Sequence, residues 1–286
     1  MLASAIMRVA RAAPRGGHRL VTLLRPLVPG LGRYPATLKA NGFILRGDLA
    51  LNVFYPLAVY GYYTHQAVED DVLAFAAKGA RMIADVGGNI GYTTALMAGV
   101  APDARIVTFE PLSLCQPYLD QVAAHFTGVR IVPKAVGAEA GTAEFKLRAQ
   151  VDRSSFAGSG SEHDATTLSV PMTTLDLEFA GESVDLIKID VEGFEDVVLA
   201  GGRETIRRCK PVVVFEAYEE DVLRRSIAFF DSLGAGYTLF TIAHQGELRP
   251  LESLTRGADE VCNFVAWPAG RSLPDGRRIP RSYDRP

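Results

Sequence analysis

Cysteine is scarce in this chain of 286 residues. The three present, Cys115, Cys209 and Cys262, form an odd and scattered set, which gives no disulfide framework and no metal-ligand spacing. A reducing, cytoplasmic setting is the expectation. The five histidines are equally dispersed, so no zinc site is read. A long apolar run is also lacking. The longest, Leu49 to Tyr63, has 15 residues and contains Asn52 and Pro56, whereas a membrane-spanning helix needs ~20. Met1 to Ala13 has arginines but no clean apolar stretch ahead of a cleavage site, which makes it a poor secretory signal. There are no internal repeats.

Positive charge is short across the body of the chain and concentrated at its ends. Residues 1–47 hold eight Lys or Arg and no acid, and the tail 268–286 holds five Arg against Asp275 and Asp284. Residues 48–267 are left with 17 bases and 31 acids. An acidic body disfavours a nucleic-acid partner, because a duplex requires a basic footprint. The basic start suits contact with anionic lipid or an acidic partner. The favoured reading is a poorly ordered arm packing loosely on the acidic body, and the composition also resembles an Arg-rich organelle transit peptide.

What is present fits a globular enzyme: 48% hydrophobic and 22% charged residues, in a length that suits one large α/β domain with extensions. Residues 1–60 read as a basic extension with little periodicity, 61–267 as the domain, and 268–286 as a disordered Pro/Arg tail. Within the domain, helical patterns at about 68–77, 90–100, 114–125, 194–208 and 221–233 alternate with short β-rich runs. Those runs lie at 82–85, 105–109, 129–132, 184–189 and 212–215, with further strands at 237–242 and 261–267. Residues 142–147 and 167–173 alternate apolar and polar side chains and are expected to pair antiparallel around a Ser/Gly-rich loop at 154–161. The alternation implies a Rossmann-like α/β fold, a mostly parallel sheet with helices on both faces. Ligands of such sheets bind beyond the carboxyl ends of the strands. Asp85, Glu110, Asp190 and Glu216 each stand at such an end.

The sharpest signal is Met82-Ile-Ala-Asp-Val-Gly-Gly-Asn-Ile-Gly-Tyr-Thr93, an apolar strand, a glycine-rich turn and a helix start. Its turn, Asp85-x-Gly87-x-Asn89-x-Gly91, lets a ligand lie against the main chain. A dinucleotide turn would hold a pyrophosphate at the helix start, and the spacing Gly88-x-x-Gly91 partly fits one. Asp85 opposes that reading by charge. It suits S-adenosylmethionine, which has no phosphate and carries an ammonium and a sulfonium. Glu110 lies 19 residues after Gly91, close to the ~20 expected of an acid that accepts both ribose hydroxyls.

The second signal is Leu186-Ile-Lys-Ile-Asp-Val-Glu-Gly-Phe-Glu195. Lys188 sits inside an apolar strand, where a cation needs a partner. Asp190, Glu192 and Glu195 crowd the strand end, and crowded carboxylates raise one another's proton affinity, as a general base requires. Helix-start acids favoured by the dipole account for Glu195 well and for Asp190 poorly.

Asp85 to Gly91, Phe109-Glu-Pro111, Thr173-Thr-Leu-Asp176, Ile187 to Glu195 and Lys210-Pro-Val-Val-Val-Phe-Glu216, in this order and spacing, resemble the FkbM-type methyltransferase family over roughly residues 60–240. The resemblance implies a class I methyltransferase fold and S-adenosylmethionine-dependent O-methylation, often of sugar, glycan or secondary-metabolite hydroxyls. Gly88 departs from the family's more usual Ala, a missing methyl expected to matter little, and Thr64 stands where the family often has Glu. The roles expected are Asp85 near the methionyl ammonium, with Gly87, Asn89 and Gly91 forming the turn and Glu110 on the ribose. Ala135 and Val136 would lie along the adenine. Asp190 or Glu192 would orient or deprotonate the acceptor hydroxyl, and Ser154, Ser155 and Glu216 would lie on the acceptor side. In-line displacement on a sulfonium calls for no metal. The rival readings are an NAD-dependent oxidoreductase, for which no Tyr-x-x-x-Lys is present, and a non-catalytic nucleotide-binding module.

Overall fold

A computed structural model describes residues 2–13, 16–40, 43–60, 67–147, 155–156, 166–243, 247–251, 262–274 and 279. The first sixty residues are more structured than their sequence suggests. They form α1 (Leu2–Ala12), α2 (Gly17–Leu24), the antiparallel hairpin β1 (Pro35–Ala40) and β2 (Phe43–Asp48), and α3 (Phe54–Tyr60). Met7, Ala10, Val21, Leu31, Leu45, Leu49 and Phe54 are buried in one cluster, which also takes in Ile90, Tyr92, Ala95 and Val122 of the domain. Gln121 clasps β2 by exchanging hydrogen bonds with the backbone of Arg46, at 3.0 and 2.9 Å. Arg11 donates to the carbonyl of Ala58 at 2.9 Å. The expectation of a loose arm is therefore corrected. Each short helix is amphipathic only over its own few turns, and the core it completes is supplied by residues far along the chain.

The domain follows as α4 (Ala67–Ala77), β3 (Met82–Val86), α5 (Tyr92–Val100), β4 (Arg105–Phe109), α6 (Gln116–His125), β5 (Val129–Val132), β6 (Ala135–Val136), β7 (Gly141–Leu147), β8 (Ser155–Phe156) and β9 (Thr166–Thr173). Then come α7 (Leu175–Glu178), β10 (Leu186–Ile189), α8 (Glu195–Ala200), α9 (Arg203–Cys209), β11 (Val212–Glu216), α10 (Glu220–Ser232), β12 (Tyr237–Ala243), β13 (Glu247–Pro250) and β14 (Asn263–Pro268). The main sheet among the described residues has the order β13-β12-β14-β11-β10-β3-β4-β5. From β5 to β11 all neighbours are parallel, while β14 runs antiparallel between β11 and β12. The central strands are almost wholly apolar because helices cover both faces. The strand order reverses between β3 and β10, which makes their carboxyl ends the switch point where ligands bind in such sheets.

The paired strands expected at 142–147 and 167–173 are β7 and β9, antiparallel from Gly141↔Met172 to Leu147↔Thr166, in a second sheet of order β6-β9-β7-β8. The single helix expected over 194–208 is two, α8 and α9, broken at Gly201 and Gly202. A Cβ at Gly201 would come 1.9 Å from the carbonyl oxygen of Gly137, so the break lets the second sheet approach the helix layer. The described part of the tail is also bound to the body. Arg271 donates to the carbonyl of Asp185 at 2.8 Å and to its carboxylate at 3.1 Å, and Ile279 is buried beside Trp267. For these residues the expectation of disorder is corrected.

Candidate active site

The carboxyl ends of β3, β4, β10 and β11 bring most of the singled-out acids together. At the end of β3 the chain turns through Gly87, whose φ of +81° lies in the left-handed region that favours glycine. A Cβ there would lie 1.9 Å from the carbonyl oxygen of Asp190, so the turn touches the end of β10 through bare backbone. Gly88 matters more than its sequence suggested. A Cβ there would meet Thr108 Cγ2 at 2.2 Å, so the Thr108 methyl already fills the space that an alanine would need. Asn89 adopts a left-handed φ of 49°, unusual for a residue with a side chain.

Asp85 is wholly buried beneath this turn rather than at its open face. Its Oδ2 accepts from Thr93 Oγ1 at 3.0 Å and Thr94 Oγ1 at 2.6 Å, and its Oδ1 lies 3.7 Å from Lys188 Nζ. Direct contact with a ligand's ammonium, expected from the sequence, does not fit this burial. Its carboxylate instead pins the start of α5 to β3 and balances the lysine.

Glu110 closes the other side of the turn. Its Oε2 accepts from the Asn89 amide at 2.9 Å and its Oε1 from the Leu112 amide at 2.8 Å. Burial pushes its carboxyl up to about 7, against the pull of those two amides. Each oxygen keeps a further lone pair, so the group can still accept from a hydroxyl. Cys115, not singled out from sequence, is buried beside it, and its Sγ donates to Asn89 Oδ1 at 3.6 Å. Ala135 and Val136 form β6 in the second sheet and are buried, Ala135 with Leu112, Cys115 and Leu119, Val136 in the main core. Their side chains serve packing, whereas the expectation was that this segment lies along the adenine.

Lys188 supplies the cation of the site. Its Nζ donates to the Gly87 carbonyl at 3.2 Å and to Asp190 Oδ2 at 3.1 Å. Burial alone would lower its proton affinity, but Asp190, Asp85 and Glu69 outweigh it and hold the ammonium charged. One buried lysine thus spans the turn after β3 and the acid after β10.

Asp190, Glu192 and Glu216 come together, with ligand-capable oxygens all within 4.8 Å of one another. Glu192 has a left-handed φ of 56°, a strained conformation that aligns it with strand-end acids on either side. Glu216, at the end of β11, is pushed far above the usual carboxylate range, first by burial and then by Asp190 and Glu69. Cys262 Sγ donates to Glu216 Oε1 at 3.6 Å. Glu195 stands apart in role. Its Oε1 accepts from the amides of Val191 and Gly193 at 3.2 and 3.1 Å and fastens the turn into α8.

Sequence reasoning missed Glu69. It stands in the first turn of α4, where acids ordinarily face solvent and the helix dipole. Here Glu69, Asp70 and Asp71 are all buried. Tyr92 donates to Asp70 Oδ2 at 2.5 Å. Glu69 faces the site, and burial, then Asp190, push its carboxyl up to about 8. The available signal was three successive acids in an otherwise apolar helix. Ser155 lies in β8 opposite Lys146 of the second sheet. Ser154 and Thr64 lie outside the described residues.

The mostly parallel sheet, with the glycine turn and the acids at its switch point, is Rossmann-like, and the family match that follows makes it a class I methyltransferase fold. The methyltransferase FkbM domain matches residues 85–237, more than half of the chain, and the chain belongs to the FkbM methyltransferase family. A methyltransferase FkbM from Methylobacillus flagellatus is 17% identical, with 90% of this chain and 62% of that chain covered and a TM-score of 0.48. The chain therefore spans less than two thirds of that protein's length. A SAM-dependent methyltransferase from Agrobacterium tumefaciens is 13% identical, covering 82% and 70% at a TM-score of 0.46. M. jannaschii TYW2, in complex with AdoMet, is 13% identical, covering 81% and 84% at a TM-score of 0.45. No curated protein matches the chain by sequence. Among the described residues no helix is long and apolar enough to cross a membrane.

Proposed function

We propose that this protein is an S-adenosylmethionine-dependent O-methyltransferase acting on a hydroxyl of a sugar, glycan or secondary metabolite. The observation that carries this reading is the Gly87 turn with Glu110 on one side and Asp190, Glu192 and Glu216 on the other. The bare backbone at Gly87, where a Cβ would strike the Asp190 carbonyl, brings the turn after β3 hard against the end of β10, so that both border one site. Glu110 is the ribose acceptor. The surplus of carboxylates suits a ligand bearing positive charge and opposes the pyrophosphate of NAD.

The donor supplies an electrophilic methyl on a sulfonium. The chain's own residues bind, align and handle a proton. Lys188 holds Asp190 and the Gly87 carbonyl in fixed relation, so the donor turn and the acceptor acid keep one geometry. Asp190, partly open to solvent, or Glu192 beside it takes or shares the acceptor's hydroxyl proton. Asp85 supports the turn from beneath.

Calorimetric titration tests the cofactor. Saturable heat with S-adenosylmethionine and none with NAD is expected, and the reverse would turn the assignment to an oxidoreductase. Asp190→Asn should lower turnover by roughly 10²–10⁴-fold with donor binding largely kept. If Glu192→Gln alone is dead, the two roles are exchanged. If both variants turn over normally, neither residue is the base.

We also assign the outward faces of α1 and α2 to peripheral contact with an anionic membrane. Leu2 and Val9 of α1 and Leu23 of α2 are exposed there, with Leu27 exposed just beyond α2, in a segment with no acid. Salt-sensitive sedimentation with anionic, but not zwitterionic, vesicles is the expected result. Failure to sediment with either removes the assignment.

A further inference from the structure

We propose that Glu69 of α4 receives the amino group of the donor's methionyl tail, an assignment that rests on the methyl-transfer reading. Glu110 answers the donor's ribose, but its ammonium has no partner yet. Asp85, which the sequence offers for that role, is closed off beneath the turn and engaged by Thr93 and Thr94.

Helix period and strand alternation place Glu69 at the site. Val72, Leu73 and Ala76 of α4 pack with Ile83, Leu186, Val212 and Val214 in one core cluster. Glu69 precedes those three by three, four and seven residues, so it lies on the same sheet-facing stripe, one turn nearer the helix start. Residues 78–81 join the end of α4 to the start of β3, so the helix start overlies the carboxyl ends of the parallel strands. Side chains of β10 and β11 alternate between faces. Leu186, Val212 and Val214 point to the α4 side, and Lys188, Asp190 and Glu216 follow at even steps on that side. Ile187, Ile189, Val213 and Phe215 take the other face. The backbone pattern alone therefore sets Glu69 over Asp190 and Glu216.

The state of the side chain is a second, separate observation. Glu69 is only 5% exposed, and among the described residues no hydrogen bond or ion pair holds it. Its oxygens nevertheless border open space, unlike the closed-off Oδ1 of Asp85 and Oε2 of Glu195. A buried carboxyl without a partner is costly, and a ligand N–H supplies the missing bond. The groups around it are Asp70 on its own helix, Asp85 of β3, Lys188 and Asp190 of β10, Glu216 of β11 and Cys262 ahead of β14. Burial, then Asp190, keep its proton on up to about 8. An arriving ammonium reverses that preference. The proton passes to solvent, and the carboxylate accepts from the cation. Donor binding should therefore release a proton.

The test is calorimetry on the full chain with three ligands. S-adenosylmethionine carries both the tail and the sulfonium, S-adenosylhomocysteine keeps the tail without the sulfonium, and methylthioadenosine keeps the nucleoside without the tail. Glu69→Gln should weaken the first two by roughly tenfold or more, the scale of one hydrogen bond to a charged group, and leave the third unchanged. Glu204→Gln, on the exposed face of α9, should alter none of them. Melting curves establish that each variant is folded. At about pH 6.5, below the ordinary α-amino range of ~7.7–8.0, titrations in buffers of different ionisation heat count the protons released. The parent should release up to one more proton per S-adenosylhomocysteine than Glu69→Gln does, a readout that holds even where methylthioadenosine binds too weakly to titrate. Equal losses for all three ligands, a loss for S-adenosylmethionine alone, no loss at all, or equal proton release from parent and variant would each overturn the assignment and leave the methyl-transfer reading standing. A parent chain that binds none of the three overturns that reading, and the assignment with it.

Discussion

Glu110 illustrates how one side chain can be both structural and functional. Its two oxygens tie the amides of Asn89 and Leu112, and its remaining lone pairs are the ones proposed to accept the ribose hydroxyls. Glu110→Ala should weaken S-adenosylmethionine binding by roughly 1.5–3 kcal/mol, the scale of a hydrogen bond to a charged group. Unchanged affinity in a folded variant would end the ribose assignment. The buried acids also dictate how stability follows pH. Glu69, Glu110 and Glu195 are raised from 4.5 to about 8, 7 and 7. Each binds its proton more tightly in the folded chain than in the unfolded one. Their contribution is fully present below about 4.5 and is lost as pH rises through 7 to 8. Denaturant midpoints in EDTA should therefore fall between pH 5 and pH 8, and Glu69→Gln should flatten the upper part of that fall. A flat profile in the parent chain would contradict the burial of these groups.

At the scale of elements, the turn after β3 is fitted to its neighbour β4. Gly88→Ala should cost roughly 1–3 kcal/mol, because its methyl meets Thr108 Cγ2. Thr108→Ser removes that methyl but keeps the hydroxyl that pairs with Thr94. Combined with Gly88→Ala it should recover most of the loss, and thermal melts of the four chains decide it. If the double variant is no better than Gly88→Ala alone, the contact is not the cause. The strands of the parallel sheet were legible in the sequence because period and turn residues are local signals, as was the placing of Glu110, Asp190 and Glu192 at strand ends, whereas the hairpin β1–β2 and β13 were not. The break between α8 and α9 was not, since it answers Gly137 some sixty residues away. Neither was the burial of Asp85, which depends on Lys188 arriving from β10, nor the inward turn of Glu69, which looks from sequence like any helix-start acid.

For the whole molecule, the leader is part of the core. Met7 is buried in the cluster that Ile90, Tyr92 and Val122 complete. Met7→Ala should cost roughly 2–5 kcal/mol, and removing residues 1–30 should lower the melting temperature further by stripping that apolar surface. A truncated chain that melts like the parent would return the leader to the status of an appendage.

The position of β14 bears on how the chain is made. It is made after β11, β12 and β13, yet it lies between β11 and β12. Until residues 263–268 emerge, β12 and β13 pair only with each other, and β11 presents a bare edge. The nascent polypeptide therefore cannot finish its sheet before residues 263–268 are available. Premature termination before Asn263 should yield a species that chaperones retain or proteases clear, whatever the state of the active site.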